Sequence, residues 1–236
     1  MNCRAFTLVE LLTVLVIIAV LAALLFPVFA GVRMRGNQAA CASNQRQIGA
    51  GLLTYANEHD GDLPETTHTA GVRLERAWIY ALKPYLANVD KVRISPADPR
   101  GADRLKANGT SYVLNCYVFV PTIGPFGENL GSLNNIRKLP YPAHTLIAFN
   151  VSDEQGASVM NDHTHGDAWA GNWRRVRADI EPNRFRTSAS NADHTNGSAN
   201  YLYLDGHVEN LNGETLRQQI ERGVPVGKPP LLPEEL

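Results

Sequence analysis

FTLVELLTVLVIIAVLAALLFPVFA, residues 6–30, is an almost continuous apolar run near the start of the chain. Its 25 residues include only three polar ones, Thr7, Glu10 and Thr13. An apolar helix needs roughly 20 residues to cross a bilayer core. A cleavable secretory signal has a shorter apolar region of about 7–15 residues, followed by a small-residue site. The sequence therefore predicts a membrane anchor, with residues 6–30 as a transmembrane helix.

Glu10 is the one acidic residue in this apolar stretch. A carboxylate inside a membrane helix costs roughly 2.5–3.5 kcal/mol on insertion scales, so it needs a partner or must become protonated. One interpretation places Glu10 close enough to the membrane surface to snorkel or stay neutral. The other gives it a specific partner, and that interpretation depends on the residues that precede it.

The segment Arg4–Leu12 (RAFTLVELL) resembles the type IV prepilin cleavage and methylation signature. In that family a short basic leader is removed just before a Phe, whose new amino group is N-methylated, and the fifth mature residue is a carboxylate. The resemblance implies a leader at residues 1–5, cleavage between Ala5 and Phe6, N-methylation at Phe6, and an assembly role for Glu10. Ala5 stands where the family usually has Gly.

Such a cut would create a cationic amine at Phe6, one helical turn from Glu10. In a filament, Glu10 of one subunit would pair with the amine of its neighbour and so remove two charges from an apolar environment together. The resemblance implies prepilin peptidase, other pseudopilin subunits and an inner-membrane assembly platform as partners. It also implies a single-pass protein of the bacterial inner membrane, with its C-terminal domain in the periplasm or in an extracellular filament.

The helical pattern continues beyond the apolar stretch. Apolar residues recur at helical spacing on one face, at Cys41, Ile48, Leu52 and Tyr55, with polar residues between them. We expect one helix from Phe6 to about His59, on the order of 80 Å long at 1.5 Å per residue. Pro27 and several glycines should weaken or kink it.

The rest of the chain predicts a soluble pilin-like domain over residues 31–223. Runs rich in β-branched and aromatic residues predict strands at 111–120, 145–151, 200–204 and 207–211, and Asp205-Gly206 favours a hairpin turn between the last two. Residues 74–86 and 213–222 predict short helices. Residues 224–236, with four prolines, predict a flexible tail. The fold class is α+β, a long N-terminal helix packed on an antiparallel sheet.

The C-terminal half resembles a bacterial subfamily of pseudopilin-like proteins whose hallmark is a histidine, nine residues, then Asp-Gly. Here ten residues lie between His194 and Asp205-Gly206. We interpret this motif as structural: Asp205 serves the turn, and His194 bonds the backbone at the foot of the hairpin. Oxygen donors at Asp193, Asn196 and Asp205 suggest a calcium site as an alternative, since some pseudopilins order their C-terminal loops with that ion.

The run His163-Thr164-His165-Gly166-Asp167 is a second candidate site. It is similar to the HxHxDH zinc run of metallo-β-lactamase-like hydrolases, which would make the chain a membrane-anchored metal-dependent hydrolase. However, Ala168 stands where the last histidine of that run belongs, so a polar loop is the competing interpretation. A third possibility is a surface ligand-binding module built around Trp169 and Trp173.

Composition adds limits to these interpretations. The net charge of −1 gives no electrostatic reason to expect nucleic acid as a partner. Three cysteines are too few for a disulfide scaffold, although Cys41 and Cys116 would either cross-link outside the cytoplasm or serve as small buried residues. The sequence favours a non-enzymatic filament subunit.

Overall fold

The computed structural model of the chain describes residues 8–71, 73–126, 128–158, 160, 162–186 and 191–232. The predicted leader and the cleavage site between Ala5 and Phe6 lie outside the described residues.

Helix α1, Leu8–Glu58, is a single element of 51 residues. The residues that it buries completely recur every three or four positions, which places them on one face: Cys41, Gln45, Ile48, Leu52 and Ala56. The helix ends at a turn in which Asp60 and Gly61 both have positive φ. The predicted long helix is confirmed, and it continues without a break through Pro27.

Four antiparallel strands form the main sheet, in the order β1-β4-β5-β6. Their bounds are β1 Tyr112–Leu114, β4 Leu146–Asn150, β5 Ser198–Tyr203 and β6 Val208–Asn212. A separate two-stranded ribbon pairs β2, Thr122–Ile123, with β3, Asn129–Gly131. The fold is therefore α+β, as predicted.

Short helices connect and cover the sheet. They are α2 Thr67–Ala70, α3 Trp78–Ala81, α4 Val89–Val92, α5 Gly101–Lys106, α6 Cys116–Phe119, α7 Trp173–Asp179 and α8 Gly213–Glu221. The predicted last helix is confirmed, including its cap, because the side chain of Asn212 accepts a hydrogen bond from the Glu214 amide.

The main sheet is buried on both faces. One face packs against α1 and contributes Tyr112, Leu114, Ile147 and Leu202 to a core with Ile48 and Leu52. The other face contributes Val113, Phe149, Ala199 and Tyr201 to a second core, beneath α7 and α8. Alternate residues of β1 and β5 thus point into different cores, which gives three layers. In β4 the register shifts between Leu146 and Ala148, so Ile147 and Ala148 both pack in the first core.

The predicted strand at 111–120 is mostly wrong. Strand β1 ends at Leu114, and the Oδ1 of Asn115 then accepts a hydrogen bond from the Tyr117 amide at 3.1 Å to begin α6. An Asn side chain that caps a helix competes with the strand preference of the aromatic and β-branched residues after it.

The predicted helix at 74–86 is also wrong as a single element. It is split into a 3₁₀ turn at Leu74–Arg76, helix α3, and a second 3₁₀ turn at Lys83–Tyr85. The break lies at Ala77, which is extended because its neighbour Trp78 donates its amide to the Glu65 carbonyl at 2.8 Å.

The first part of the predicted flexible tail is packed on the domain. Asn115 donates from Nδ2 to the Gly227 carbonyl at 2.6 Å, and Val226 contacts the second core. The prediction of a loose tail from residue 224 is therefore wrong for this part, because the buried amide of Asn115 gives the chain a fixed partner.

Candidate functional site

The N-terminal half of α1 exposes a continuous apolar surface. Its large side chains are all well exposed, from Leu8 at 79% to Phe26 at 81% and Phe29 at 66%. The helix is long and apolar enough to cross a membrane, and its most apolar 18 residues bury nothing against the domain. Soluble monomers rarely leave so large an apolar patch in water, so this surface needs lipid or other helices to cover it.

Glu10 lies in the first turn of α1 as the structure describes it. Near it, the hydroxyl of Thr13 donates to the carbonyls of Val9 and Glu10 at 3.0 and 2.9 Å. This back-bonding satisfies the hydroxyl within the helix, so Thr13 can lie in hydrocarbon at little cost. Glu10 is then the residue whose charge an apolar environment would most disfavour in this stretch.

The C-terminal half of α1 is locked to strand β5 by buried amides. Gln45 donates from Nε2 to the Asn200 carbonyl at 3.1 Å, and Asn200 donates from Nδ2 to the Gln38 carbonyl at 2.9 Å. Both side chains are almost fully buried. The exposed apolar half and the domain are therefore parts of one connected body, joined through a single helix.

The Asp205-Gly206 motif builds the β5–β6 turn, as predicted. Asp205 accepts hydrogen bonds from the His207 amide at 3.1 Å and from its ring Nδ1 at 2.6 Å. Although partial burial raises the pKa of Asp205, these hydrogen bonds lower it overall. Gly206 has φ +88°, and a Cβ added to Gly49 of α1 would lie 3.3 Å from its Cα. The turn thus touches α1 backbone to backbone.

His194 lies at the other end of β5. Its backbone has φ +54°, and its Nδ1 is 2.7 Å from the Oε1 of Glu181, a carboxylate with no exposed side-chain surface. We predicted that His194 bonds the neighbouring backbone, but its partner is the side chain of Glu181. The ring pairs with this carboxylate because a buried charge is costly unless it is paired.

The three predicted calcium ligands do not meet. Asp193 forms an ion pair with Arg217 at 3.0 Å, and Asn196 accepts a hydrogen bond from Asn183 at 2.7 Å. Asp205 lies in the turn at the opposite end of β5 from both. In the described structure these three residues therefore do not form one site, because the strand that separates them in sequence also separates them in space.

Cys41 and Cys116 are free thiols with different partners. The Cys41 thiol donates to Asn150 Oδ1 at 3.4 Å and accepts from the Tyr112 hydroxyl at 3.5 Å, whereas Cys116 accepts from the Gly166 amide at 3.1 Å. Burial raises the pKa of both thiols. The structure does not form the predicted cross-link; the alternative of a small buried residue describes Cys41, whereas Cys116 is only partly buried.

The predicted hydrolase triad is only partly assembled. His163 and His165 lie side by side, with ring centres 5.3 Å apart. Asp167 is exposed in the 3₁₀ turn Gly166–Ala168 and does not join them. Instead His68, which is 95 positions before His163, brings its ring centre to 5.5 Å from that of His163. Sequence spacing gave no signal for His68, because α2 reaches this place only through the tertiary fold.

The predicted aromatic ligand site is wrong as well. Trp169 and Trp173 are 1% and 9% exposed and belong to the second core. Their indole N–H groups are also engaged: Trp169 donates to Asp179 Oδ2 at 2.8 Å and Trp173 to the Asp193 carbonyl at 2.7 Å. Large aromatic groups gain most from burial, and here they stabilise the domain.

Comparison with known proteins supports the interpretation of the N-terminal segment. A family model described as the prokaryotic N-terminal methylation motif matches residues 1–26. The chain carries a type IV pilin-like N-terminal segment. No curated protein and no solved structure matches the chain. The resemblance of the C-terminal half of this pilin-like chain to the histidine and Asp-Gly subfamily therefore stays a prediction.

The match fits what the structure shows. The motif ends at Phe26, inside the exposed apolar half of α1, and the same helix continues into the domain as its spine. The N-terminal segment of the chain is thus similar to that of type IV pilin-like or pseudopilin-like precursors. Its α+β architecture, with a long helix on an antiparallel sheet, is consistent with a pilin-like fold.

Proposed function

We propose that this chain is a pseudopilin, a structural subunit of a type II secretion filament or a type IV pilus-like filament, and not an enzyme. One observation carries the proposal. The methylation motif at residues 1–26 runs directly into a helix that exposes its whole apolar half and builds its other half into a folded domain. A filament subunit needs this division, because the apolar half must move from lipid into contact with other copies.

Processing would prepare the chain for that move. Prepilin peptidase would cut between Ala5 and Phe6, and N-methylation would follow at Phe6. The new cationic amine would lie about one helical turn from Glu10. Pairing of this amine with Glu10 of a neighbouring copy would reduce the cost of holding both charges among apolar helices, and it would set the axial register between subunits.

Location and partners follow from the same argument. Before assembly the subunit would span the bacterial inner membrane once, with its C-terminal domain in the periplasm. Its partners would be prepilin peptidase, an inner-membrane assembly platform, and further pseudopilins of the same or of different sequence. We expect no nucleic acid among these partners, given the net charge of −1.

A structural role accounts for the histidine and carboxylate contacts of the domain better than hydrolysis does. His163 and His165 each place Nδ1 3.1 Å from a buried carboxylate, and Asp167 stands apart from them. The two carboxylates beside these rings, Asp162 and Asp179, are already engaged with ring Nδ1 atoms and backbone amides, so neither is free to act as the general base of a metallohydrolase. That engagement favours a non-enzymatic subunit.

The test is the intact mass of the protein isolated from the membranes of its host. We expect a chain that lacks residues 1–5 and carries one added methyl group. The same protein from cells without prepilin peptidase should keep Met1 and carry no methyl group on Phe6. A protein that keeps Met1 in normal cells, and that stays monomeric after mild extraction, would contradict the proposal.

A further inference from the structure

Three histidines from two separate parts of the chain line one small cavity of about 210 Å³. His68 comes from α2, while His163 and His165 come from the loop between β4 and α7. Gln155 and Met160 complete the lining. The cavity lies apart from the apolar half of α1 and from the β5–β6 turn, so the proposed filament role leaves it unexplained.

A buried carboxylate holds the middle ring from behind. Asp162 is fully buried, and its Oδ1 lies 3.1 Å from the Nδ1 of His163. Its other oxygen accepts the Thr67 amide at 2.7 Å, at the residue next to His68. One carboxylate therefore fixes both the ring of His163 and the helix that carries His68.

A second buried carboxylate holds the outer ring. Asp179 Oδ1 lies 3.1 Å from the Nδ1 of His165, and Asp179 Oδ2 accepts hydrogen bonds from the His165 amide at 2.7 Å and from the Trp169 indole at 2.8 Å. The side chain of His165 is itself 66% exposed. This ring is therefore both held in place and accessible from solvent.

These contacts decide which ring nitrogen remains available. An ionised carboxylate only accepts hydrogen bonds, so the proton of a neutral ring lies on the Nδ1 that faces it. The Nε2 atoms of His163 and His165 then keep free lone pairs. A histidine whose Nδ1–H donates to a carboxylate while Nε2 binds a metal is the usual arrangement at protein metal sites.

Gln155 contributes a polar group to the wall of the cavity. Its Oε1 atom is buried, and within the described structure it has no hydrogen-bond partner. Leaving such an acceptor unsatisfied costs about 1–3 kcal/mol. A water molecule carried into the cavity by an ion would satisfy it.

The spacing of the rings fits a shared ion. With Zn–N bonds of about 2.0–2.1 Å and tetrahedral angles, two imidazoles on one zinc have ring centres about 5 Å apart. The observed separations are 5.5 Å for His68–His163 and 5.3 Å for His163–His165. As the side chains stand, no three His, Cys, Asp or Glu groups of the described residues converge closely enough to hold an ion. The exposed ring of His68 would have to turn.

We propose that His163 and His165 bind a divalent first-row transition metal ion through Nε2, and that His68 turns inward to become the third ligand. Imidazole nitrogens suit zinc, copper or nickel, whereas calcium and magnesium prefer oxygen ligands. The nearby carboxylates are already engaged with ring Nδ1 atoms and backbone amides. Water fills the remaining position and reaches Gln155.

The test uses the full-length chain in detergent, purified without a histidine tag, reduced, and stripped of metal with a chelator. Zn²⁺ is then titrated in competition with a chromogenic zinc chelator. We expect one saturable site per chain. His68→Ala and His165→Ala each remove a proposed ligand and should weaken binding at least about tenfold, the smallest effect typical even for loss of an outer-shell group at a metal site.

Two variants serve as controls. His207→Ala removes an exposed histidine at the β5–β6 turn, outside the cavity, and should leave binding unchanged. Cys116→Ser removes the nearest described thiol, which bonds Gly166, and should also bind normally. Near-ultraviolet circular dichroism would verify that each variant is folded. The proposal is overturned if the wild-type chain shows no saturable site, or if folded His68→Ala and His165→Ala bind as tightly as the wild type.

Discussion

A Cβ atom added to Gly49 of α1 would lie 3.3 Å from the Cα of Gly206, at the tip of the β5–β6 hairpin. The same added atom would lie 3.1 Å from the Leu202 side chain. Helix and hairpin therefore approach each other so closely that there is little room for a side chain between them. Glycine disfavours a helix interior by about 1 kcal/mol relative to alanine, and this contact is a reason to tolerate that cost.

Gly49→Val should therefore destabilise the domain by about 1–3 kcal/mol through overpacking against Gly206 and Leu202. The matched control is Gly36→Val in the same helix, where an added Cβ meets nothing within 4 Å. We expect the control to be neutral or slightly stabilising, since valine suits a helix better than glycine does. Urea unfolding followed by tryptophan fluorescence measures both, and equal effects would contradict the close packing.

Glu10→Ala should separate membrane insertion from assembly. Removal of the carboxylate lowers the cost of insertion by roughly 2.5–3.5 kcal/mol, so the variant should accumulate normally in the membrane. If Glu10 pairs with the Phe6 amine of a neighbour, filaments should be lost from the sheared cell-surface fraction. Thr13→Val, which removes a hydroxyl bonded only within its own helix, is the control and should still assemble. Normal filaments from Glu10→Ala would count against the proposed pairing.

Asp98 and Arg104 form a buried ion pair at 2.8 Å, with side chains 0% and 1% exposed. Asp98 also accepts hydrogen bonds from the Ser111 hydroxyl at 2.6 Å and the Arg100 amide at 2.8 Å. Asp98→Ala should cost about 3–5 kcal/mol of unfolding free energy, because it leaves the Arg104 charge buried without its partner.

The control for this pair is Glu221→Ala. Glu221 also binds an arginine, Arg217, at 2.7 Å, but both side chains are well exposed, at 48% and 31%. Its loss should cost only about 0–1 kcal/mol. A cost for Asp98→Ala as small as that of the control would show that the chain relaxes and hydrates Arg104.

Thiol labelling tests the two cysteines. Burial raises the pKa of both Cys41 and Cys116, so little reactive thiolate is present near neutral pH. In the folded protein we expect both to react slowly with iodoacetamide, and Cys41, which is fully buried, more slowly than Cys116. Both should react quickly in denaturant. Mass mapping under non-reducing conditions that finds a peptide linked through Cys41 and Cys116 would contradict the free thiols.

Much of this fold can be predicted from local sequence. The long helix, β4, the β5–β6 hairpin and α8 each carry their own signal, such as the Asp205-Gly206 turn or the Asn212 cap. Errors arose where a distant partner overrides the local preference. Ala77 is extended because Trp78 pairs with Glu65, and residues near Gly227 are held by Asn115.

The candidate sites were harder to predict for the same reason. His163 and His165 stand out in the sequence, but their partners do not: Asp179 and His68 reach them only through tertiary packing. Trp169 and Trp173 look like an exposed aromatic loop in sequence, and the structure buries both. The N-terminal segment was predictable because its chemistry depends on neighbouring residues alone.

The unbroken course of α1 through Pro27 has a geometric consequence for any fibre that it builds. An α-helix turns about 100° per residue, so the angular position of the domain around the fibre axis is set by how many helical residues separate it from the apolar half. Inserting one residue after Gly31 would rotate the whole domain by about that angle and present a different side to the outside. An insertion of seven residues, close to two full turns, would nearly restore the original orientation of the domain and would shift it by about 10 Å along the helix axis.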